Sequence, residues 1–197
     1  GETFYDTGRV VSEFADVIVM RHSQVGSVSE LAEGASVPVI NAGDGPANHP
    51  TQGLLDLYTI EKELGRLDNL SICMVGDLKN SRVQHSQCEL FLNFKGLKFI
   101  FVSPSGLEMP KEIIQNLKKK KFSVVEIHDL QKAVSQCDVL STSRIQQERF
   151  SSPEEYRKNT GIFIINQEIM SHAKKEMILL APLPRVEDLT LAGCPAR

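Results

Sequence analysis

Four short segments of this chain each set an arginine among small or polar residues: Arg21-His22, Asp77-Leu78-Lys79-Asn80-Ser81-Arg82, Ser143-Arg144-Ile145-Gln146 and Ala181-Pro182-Leu183-Pro184-Arg185. A fifth segment, Ala42–Gln52, carries Gly43-Asp44-Gly45 and then His49-Pro50-Thr51-Gln52. A guanidinium group is a planar fork of donors that grips carboxylate and phosphate bidentately. Several such forks on one edge of a fold predict a pocket for an anionic small molecule carrying carboxylates or phosphate. His49 precedes a proline that suits a first helical turn. One reading makes it a capping or packing residue. The other has the positive helix end keep the imidazole neutral, so that it donates one hydrogen bond to a carbonyl oxygen as charge develops there. Gln52, one turn along, is within reach of the same ligand.

Other chemistries find less support. There is no GxGxxG, no Walker lysine motif and no paired acidic metal site, which argues against nucleotide and against metal. His22, His85, His128 and His172 are scattered and read as non-ligands. Ser141 and Ser143 have no clear His–Asp partners, so a serine nucleophile is not expected. The four cysteines show no CxxC pairing, and Cys73 and Cys137 sit inside apolar runs. They read as buried thiols of a reducing, cytoplasmic compartment. The run Lys118–Lys121 reads as a solvated helix end that suits the dipole. A net charge of -3 excludes a nucleic-acid binder working by bulk positive charge, and 6% aromatics without tryptophan disfavour a base-stacking platform. No apolar run approaches the roughly 20 residues that span a membrane, and no basic-then-apolar leader opens the chain. Gly1 in place of an initiator Met, with a small-residue tail at Leu191–Arg197, reads as a piece of a longer chain.

The elements that must position these segments are strands alternating with helices. Continuous apolar runs predict strands at Ala15–Met20, Val37–Asn41, Leu70–Gly76, Leu97–Ser103, Ser123–Ile127, Cys137–Thr142, Gly161–Asn166 and Met177–Leu180. Runs without alternation are expected of strands covered on both faces. Helical patterns fall near Thr7–Phe14, Ser27–Gly34, Thr51–Leu64, Val83–Phe94, Pro110–Lys121, Leu130–Gln136 and Gln167–Lys175. The fold class is therefore α/β, with two Rossmann-like parallel-sheet domains joined by the helix at 51–65. The first unit, 1–50, is too small for an independent core and reads as the back half of an incomplete domain. The second spans 66–190, followed by the tail 191–197. In such sheets ligands bind outside the carboxyl ends of the strands, where all five segments lie.

At these segments a resemblance becomes specific. Asn41-Ala42-Gly43-Asp44-Gly45, then His49-Pro50-Thr51-Gln52 and Leu55-Asp56, resemble the aspartate and ornithine carbamoyltransferase superfamily. Met74–Lys79 with Arg82 and His85-Ser86, Arg144–Arg149, and Pro182-Leu183-Pro184-Arg185 are similar to its aspartate branch. The His-Cys-Leu-Pro motif of the ornithine branch is not found. Ser81 and Val83 stand where the family has Gly and Thr around the arginine, and Ala181 where it has His before Pro-Leu-Pro.

The resemblance implies transfer of the carbamoyl group from carbamoyl phosphate to the amine of L-aspartate, in pyrimidine biosynthesis. Unit 1–50 would be the C-terminal part of the carbamoyl-phosphate-binding domain, and 66–190 the aspartate-binding domain. Arg21, His49 and Gln52 would contact carbamoyl phosphate. Arg82, Arg144 and Gln146 would hold the aspartate carboxylates, with Lys79 beside them. Pro182, Leu183 and Pro184 would supply backbone carbonyls to the two nitrogens, with Leu183-Pro184 cis as in the family. The resemblance further implies a homotrimer, no cofactor, and no nucleic-acid or membrane partner. The family's Ser-Thr-Arg-Thr phosphate loop and its catalytic-lysine loop are not found in these 197 residues. The chain by itself is thus expected to be inactive. Two alternatives stay open: a catalytically incompetent carbamoyltransferase-like binding or assembly module, and an unrelated Rossmann-like dehydrogenase.

Overall fold

A computed structural model describes residues 1–145, 152–182 and 189–191. Strands β1 (Ile18–His22) and β2 (Val39–Asp44) form a two-stranded parallel sheet. Helix α1 (Phe4–Ser12) starts at Thr3, whose hydroxyl accepts the Asp6 backbone N–H at 3.1 Å. It packs on α2 (Ser27–Gly34), the crossover between the two strands. The expectation of strands covered on both faces fails here. β1 alternates, with Ile18 buried while Val19 is 63% exposed, and Ile40 of β2 is also exposed. A single crossover helix covers one face of a two-stranded sheet and leaves the paired residues Val19 and Ile40 exposed.

Helix α3 (Pro50–Leu64) joins this unit to the next. It buries Gly53, Asp56, Leu57 and Ile60 along one stripe, at the spacing that sets side chains on one helical face. Leu54, Leu55 and Tyr58 are exposed. The helix stops at Gly65, which takes a left-handed conformation and returns its N–H to Glu61 O at 2.8 Å.

The second unit is a five-stranded parallel sheet in the order β5-β4-β3-β6-β7. Its strands are β3 (Ser71–Gly76), β4 (Lys98–Val102), β5 (Ser123–Glu126), β6 (Val139–Ser143) and β7 (Ile178–Leu180). Its helices are α4 (Arg82–Phe91), α5 (Lys111–Lys119), α6 (Leu130–Val134), α7 (Pro153–Asn159) and α8 (Gln167–Ser171). The period of two splits the apolar strand residues between two cores. Ile72, Met74, Phe99 and Phe101 join Leu57, Ile60 and Phe91 in one, while Cys73, Val75, Ile100 and Leu140 join Val134 and Ile165 in the other. Each such side chain, fully buried, contributes about 1.5–3 kcal/mol. Strand order reverses between β3 and β6, so a crevice opens at their carboxyl ends.

Gly161–Asn166 is not a strand. Among the described residues Ile165 makes only an isolated parallel bridge with Leu189, because the edge of β6 is already taken by β7. The apolar run still buries Ile165 in the second core, which is why it read as a strand. Edge strand β5 is mostly exposed, contrary to the expected double cover. Helix α7, absent from the periodicity reading, follows Pro153.

Candidate functional site

His49 occupies the cap position of α3, yet its side chain makes no capping hydrogen bond. The helix start is held instead by the His49 backbone N–H, which donates to Ser86 Oγ of α4 at 2.9 Å. The capping reading of the imidazole therefore falls. Its Nδ1 lies 3.2 Å from Thr51 Oγ1. Burial lowers the His49 pKa below the ordinary value of 6.5, and the charges of Arg82 and then Arg21 lower it further.

Those two arginines come from different units and meet at Gly43. Arg21 is an exposed residue of β1, at the irregularity in its register with β2. Arg82 opens α4, and its Nη1 donates to Gly45 O at 3.0 Å. Gly43 has φ 135, and a Cβ added there would stand 3.2 Å from Arg82 Nη1 and 3.4 Å from Arg21 Cγ. A side chain would be strained by the backbone and crowded by both guanidinium arms. The loop is pinned from behind by buried Asp44, which accepts Gly26 N at 2.9 Å and Ser27 Oγ at 3.2 Å at the start of α2. Arg21, His49 and Arg82 thus converge from three elements.

Gln52 turns toward α3 itself. Its Nε2 donates to Asp56 Oδ1 at 2.9 Å. Asp56 Oδ2 accepts Gln87 Nε2 at 2.6 Å, and Gln87 Oε1 accepts Ser141 Oγ at 2.9 Å. Gln84 Nε2 donates to Ser141 O at 2.9 Å, while its buried Oε1 has no partner. Sequence reasoning passed over Gln84 and Gln87. The available signal was two glutamines three apart on a helix whose neighbouring positions, Cys88 and Phe91, are core.

At the switch point Gly76 pairs with Ser143 across β3 and β6. Gly76 has φ 114, and a Cβ there would run into the Ser143 carbonyl oxygen. A small cleft beside them is lined by Thr142, Ser143, Ile145, Pro104 and Phe163. Half-buried Arg144 follows β6 directly, at this edge. Lys79 is exposed, its backbone N–H tied to Leu107 O at 3.1 Å. Buried Asp77 shapes the turn by accepting Asn80 N and Nδ2 at 3.1 Å, and burial raises its pKa. Ser81 Oγ accepts Gln84 N at 3.5 Å and so caps α4, a service glycine cannot give. Val83, Ala181 and Pro182 are half-buried. Gln146, Leu183, Pro184 and Arg185 lie outside the described residues.

His85, read as a non-ligand, has Nε2 2.7 Å from Leu78 O and braces the turn between β3 and α4. Burial lowers its pKa. Cys73, Cys88 and Cys137 are buried free thiols. Among the described residues no cluster of His, Cys, Asp and Glu could hold a metal ion, and no helix is long and apolar enough to cross a membrane.

Two parallel-sheet units joined by a helix, with an arginine-histidine cluster where they meet, define a two-domain α/β protein. The model of the "Aspartate/ornithine carbamoyltransferase, carbamoyl-P binding domain" matches residues 1–62, and that of the "Asp/Orn binding domain" matches residues 68–192. The chain belongs to the aspartate/ornithine carbamoyltransferase family. Within it, the chain is 45% identical to the aspartate carbamoyltransferase catalytic subunit of Thermococcus kodakarensis, over 96% of this chain and 61% of that protein. It is 47% identical to that of Archaeoglobus fulgidus, over 96% of this chain and 62% of that protein. The solved aspartate transcarbamoylase of Trypanosoma cruzi, in complex with carbamoyl phosphate and aspartate, superposes with a TM-score of 0.88 at 35% identity, covering 96% of this chain and 62% of that one. The M. jannaschii catalytic subunit does so with a TM-score of 0.83 at 44% identity, covering 96% and 61%. The chain spans about three-fifths of the length of the curated relatives it matches.

Proposed function

We propose that this chain carries the carbonyl-activating and aspartate-holding parts of an aspartate carbamoyltransferase site. The reaction gives N-carbamoyl-aspartate and phosphate from carbamoyl phosphate and L-aspartate, a step of pyrimidine biosynthesis. The observation that carries this reading is the convergence of Arg21, Arg82 and a His49 kept neutral by burial and by their charges.

A neutral imidazole has one N–H. When Thr51 Oγ1 donates to Nδ1, one of the two directions this pair allows, the proton sits on Nε2 and is available to a ligand. The neutral amine of aspartate attacks the carbonyl carbon. Negative charge grows on the carbonyl oxygen, where His49 Nε2–H and Arg21 supply donors before the charge arrives. The bond from carbon to the bridging oxygen breaks, and phosphate leaves with the electron pair and takes up the proton that the attacking amine gives up. The aspartate carboxylates are assigned to Arg82, Arg144 and Gln146, with Lys79 at the rim, and the two nitrogens to the backbone carbonyls of Pro182, Leu183 and Pro184. Alignment of the two substrates supplies much of the rate.

In this reading 1–50 is the C-terminal part of the carbamoyl-phosphate domain, 51–65 the connector, 66–190 the aspartate domain and 191–197 a tail. The assembly is a homotrimer. The buried free thiols support a cytoplasmic location. The test is a coupled phosphate-release assay on a form of the protein extended to the length of its relatives, both substrates saturating. Aspartate-dependent release is expected. Binding of both ligands without release would instead make the protein a non-catalytic binding module.

A further inference from the structure

Asp56 is 3% exposed, and among the described residues its hydrogen-bond partners are two carboxamides, with no lysine, arginine or histidine. Burial pushes its pKa up, against the pull of the two N–H donors. An unpaired buried carboxylate is costly, and an asparagine of the same shape would avoid the charge. The carboxylate does one thing that the amide does not. When ionised it only accepts, so both neighbouring glutamines must turn their NH2 groups toward it. Gln87 thereby keeps its Oε1 for the Ser141 hydroxyl. Gln52 thereby keeps its Oε1 uncommitted, and that atom accepts no hydrogen bond from any described residue.

Gln52 stands in the first turn of α3, its backbone N–H donating to His49 O at 3.1 Å. One helix turn therefore offers a donor, His49 Nε2–H, and an acceptor, Gln52 Oε1. That pair is complementary to a C(=O)NH2 group, whose oxygen accepts and whose nitrogen donates. A methyl ketone-like acyl group offers the oxygen but no N–H.

We infer that Asp56 is a positioning residue that fixes the Gln52 carboxamide with its oxygen toward the carbamoyl nitrogen, and so selects carbamoyl phosphate over acyl phosphates such as acetyl phosphate. This rests on the proposed function's placement of carbamoyl phosphate at His49. Once Asp56 is replaced by Asn, nothing prevents the Gln52 carboxamide from turning over. Its NH2 then faces the carbamoyl NH2, donor against donor, while the acetyl methyl is indifferent to the exchange.

The experiment measures kcat/KM for carbamoyl phosphate and for acetyl phosphate with aspartate as acceptor, in the active protein and in its Asp56→Asn form. With acetyl phosphate the same bond exchange gives N-acetyl-aspartate and phosphate. The ratio of the two constants is expected to fall about tenfold in Asp56→Asn, the loss of one oriented hydrogen bond. In a Gln52→Ala background the same replacement should leave the ratio unchanged. Asp56→Ala, which also removes the acceptor that fixes Gln52, serves if Asp56→Asn does not fold and should lower the ratio too, whereas Gln87→Met, which leaves the accepting carboxylate in place, should not change it. An equal fall for both donors, with the ratio preserved, overturns the assignment and leaves Asp56 a structural residue. If the unsubstituted protein releases no phosphate in response to aspartate, the proposed function fails separately. Calorimetric affinities for the two phosphates then give the selectivity ratio, and the same shift or constancy decides the role of Asp56.

Discussion

Replacing His49 with Ala separates its chemistry from its place at a helix end. An ordinary cap-to-alanine exchange costs about 1 kcal/mol because a side-chain bond to the helix is lost. His49 makes no such bond, and the backbone N–H that does anchor the helix to Ser86 Oγ survives the exchange. The stability change at pH 8 should therefore fall below that figure. The rate should behave otherwise. Loss of one preorganised donor to a developing oxyanion costs about 2.7–4 kcal/mol, or roughly 10²–10³ in kcat. Steady-state kinetics and urea denaturation of both forms give the two numbers. The lowered His49 pKa adds a signature. The unfolded chain takes up the proton near the ordinary value of 6.5, whereas the folded chain holds out to lower pH. His49 thus contributes nothing against folding above that value and destabilises the fold as pH falls from there toward the folded pKa. The parent protein should lose stability relative to His49→Ala between pH 7 and pH 5. An unchanged kcat with a stability loss of a full cap would refute the argument.

Further expectations follow from the same geometry. Arg144→Lys should raise the aspartate KM strongly and leave carbamoyl phosphate binding nearly unchanged, because an ammonium lacks the fork; calorimetry with each substrate checks it. Ile60→Ala, at a core position 1% exposed between α3 and the sheet, should cost about 2–5 kcal/mol in urea denaturation. The 197-residue chain assayed alone should release no aspartate-dependent phosphate, since the proposed assignment gives Arg21 and His49 to the carbonyl and Arg82 and Arg144 to aspartate, with none left for the leaving phosphate.

The sequence was most readable where one force dominates. Buried parallel strands show as unbroken apolar runs, and β3, β4 and β6 lie where those runs are. The same cue misled at Gly161–Asn166, since burial of Ile165 needs an apolar residue but not a ladder partner. It misled again at β1 and β5, where a run of Val and Ile hides an open face. Arg21, Arg82 and His49 were legible as residues of strand-end loops, but the meeting of the two arginines at Gly43 depends on two separate units coming together. Asp56, Gln84 and Gln87 were not legible as a network. Their partners lie on a different helix and a strand, and no local pattern encodes a hydrogen bond to Ser141, 54 residues beyond Gln87.

The central place of β3 has a kinetic side. Its pairing with β4 is a single-crossover closure, complete once residue 102 has been made. Its other edge waits for β6, and the bond from Ser71 N–H to the Asp138 carboxylate spans 67 positions. Long-separation parallel pairing is slow because the loop must be ordered before the contact rewards it. During synthesis the strand that later forms the middle of the sheet is therefore an edge, apolar on both faces and open to a neighbouring nascent chain. Intermediates that have β3, β4 and β5 in place but not β6 are the species on which chaperone capture, or aggregation in a fast overexpression, would act. Substitutions that delay β6, such as one at Leu140, should lower soluble yield before they lower the melting temperature of what does fold.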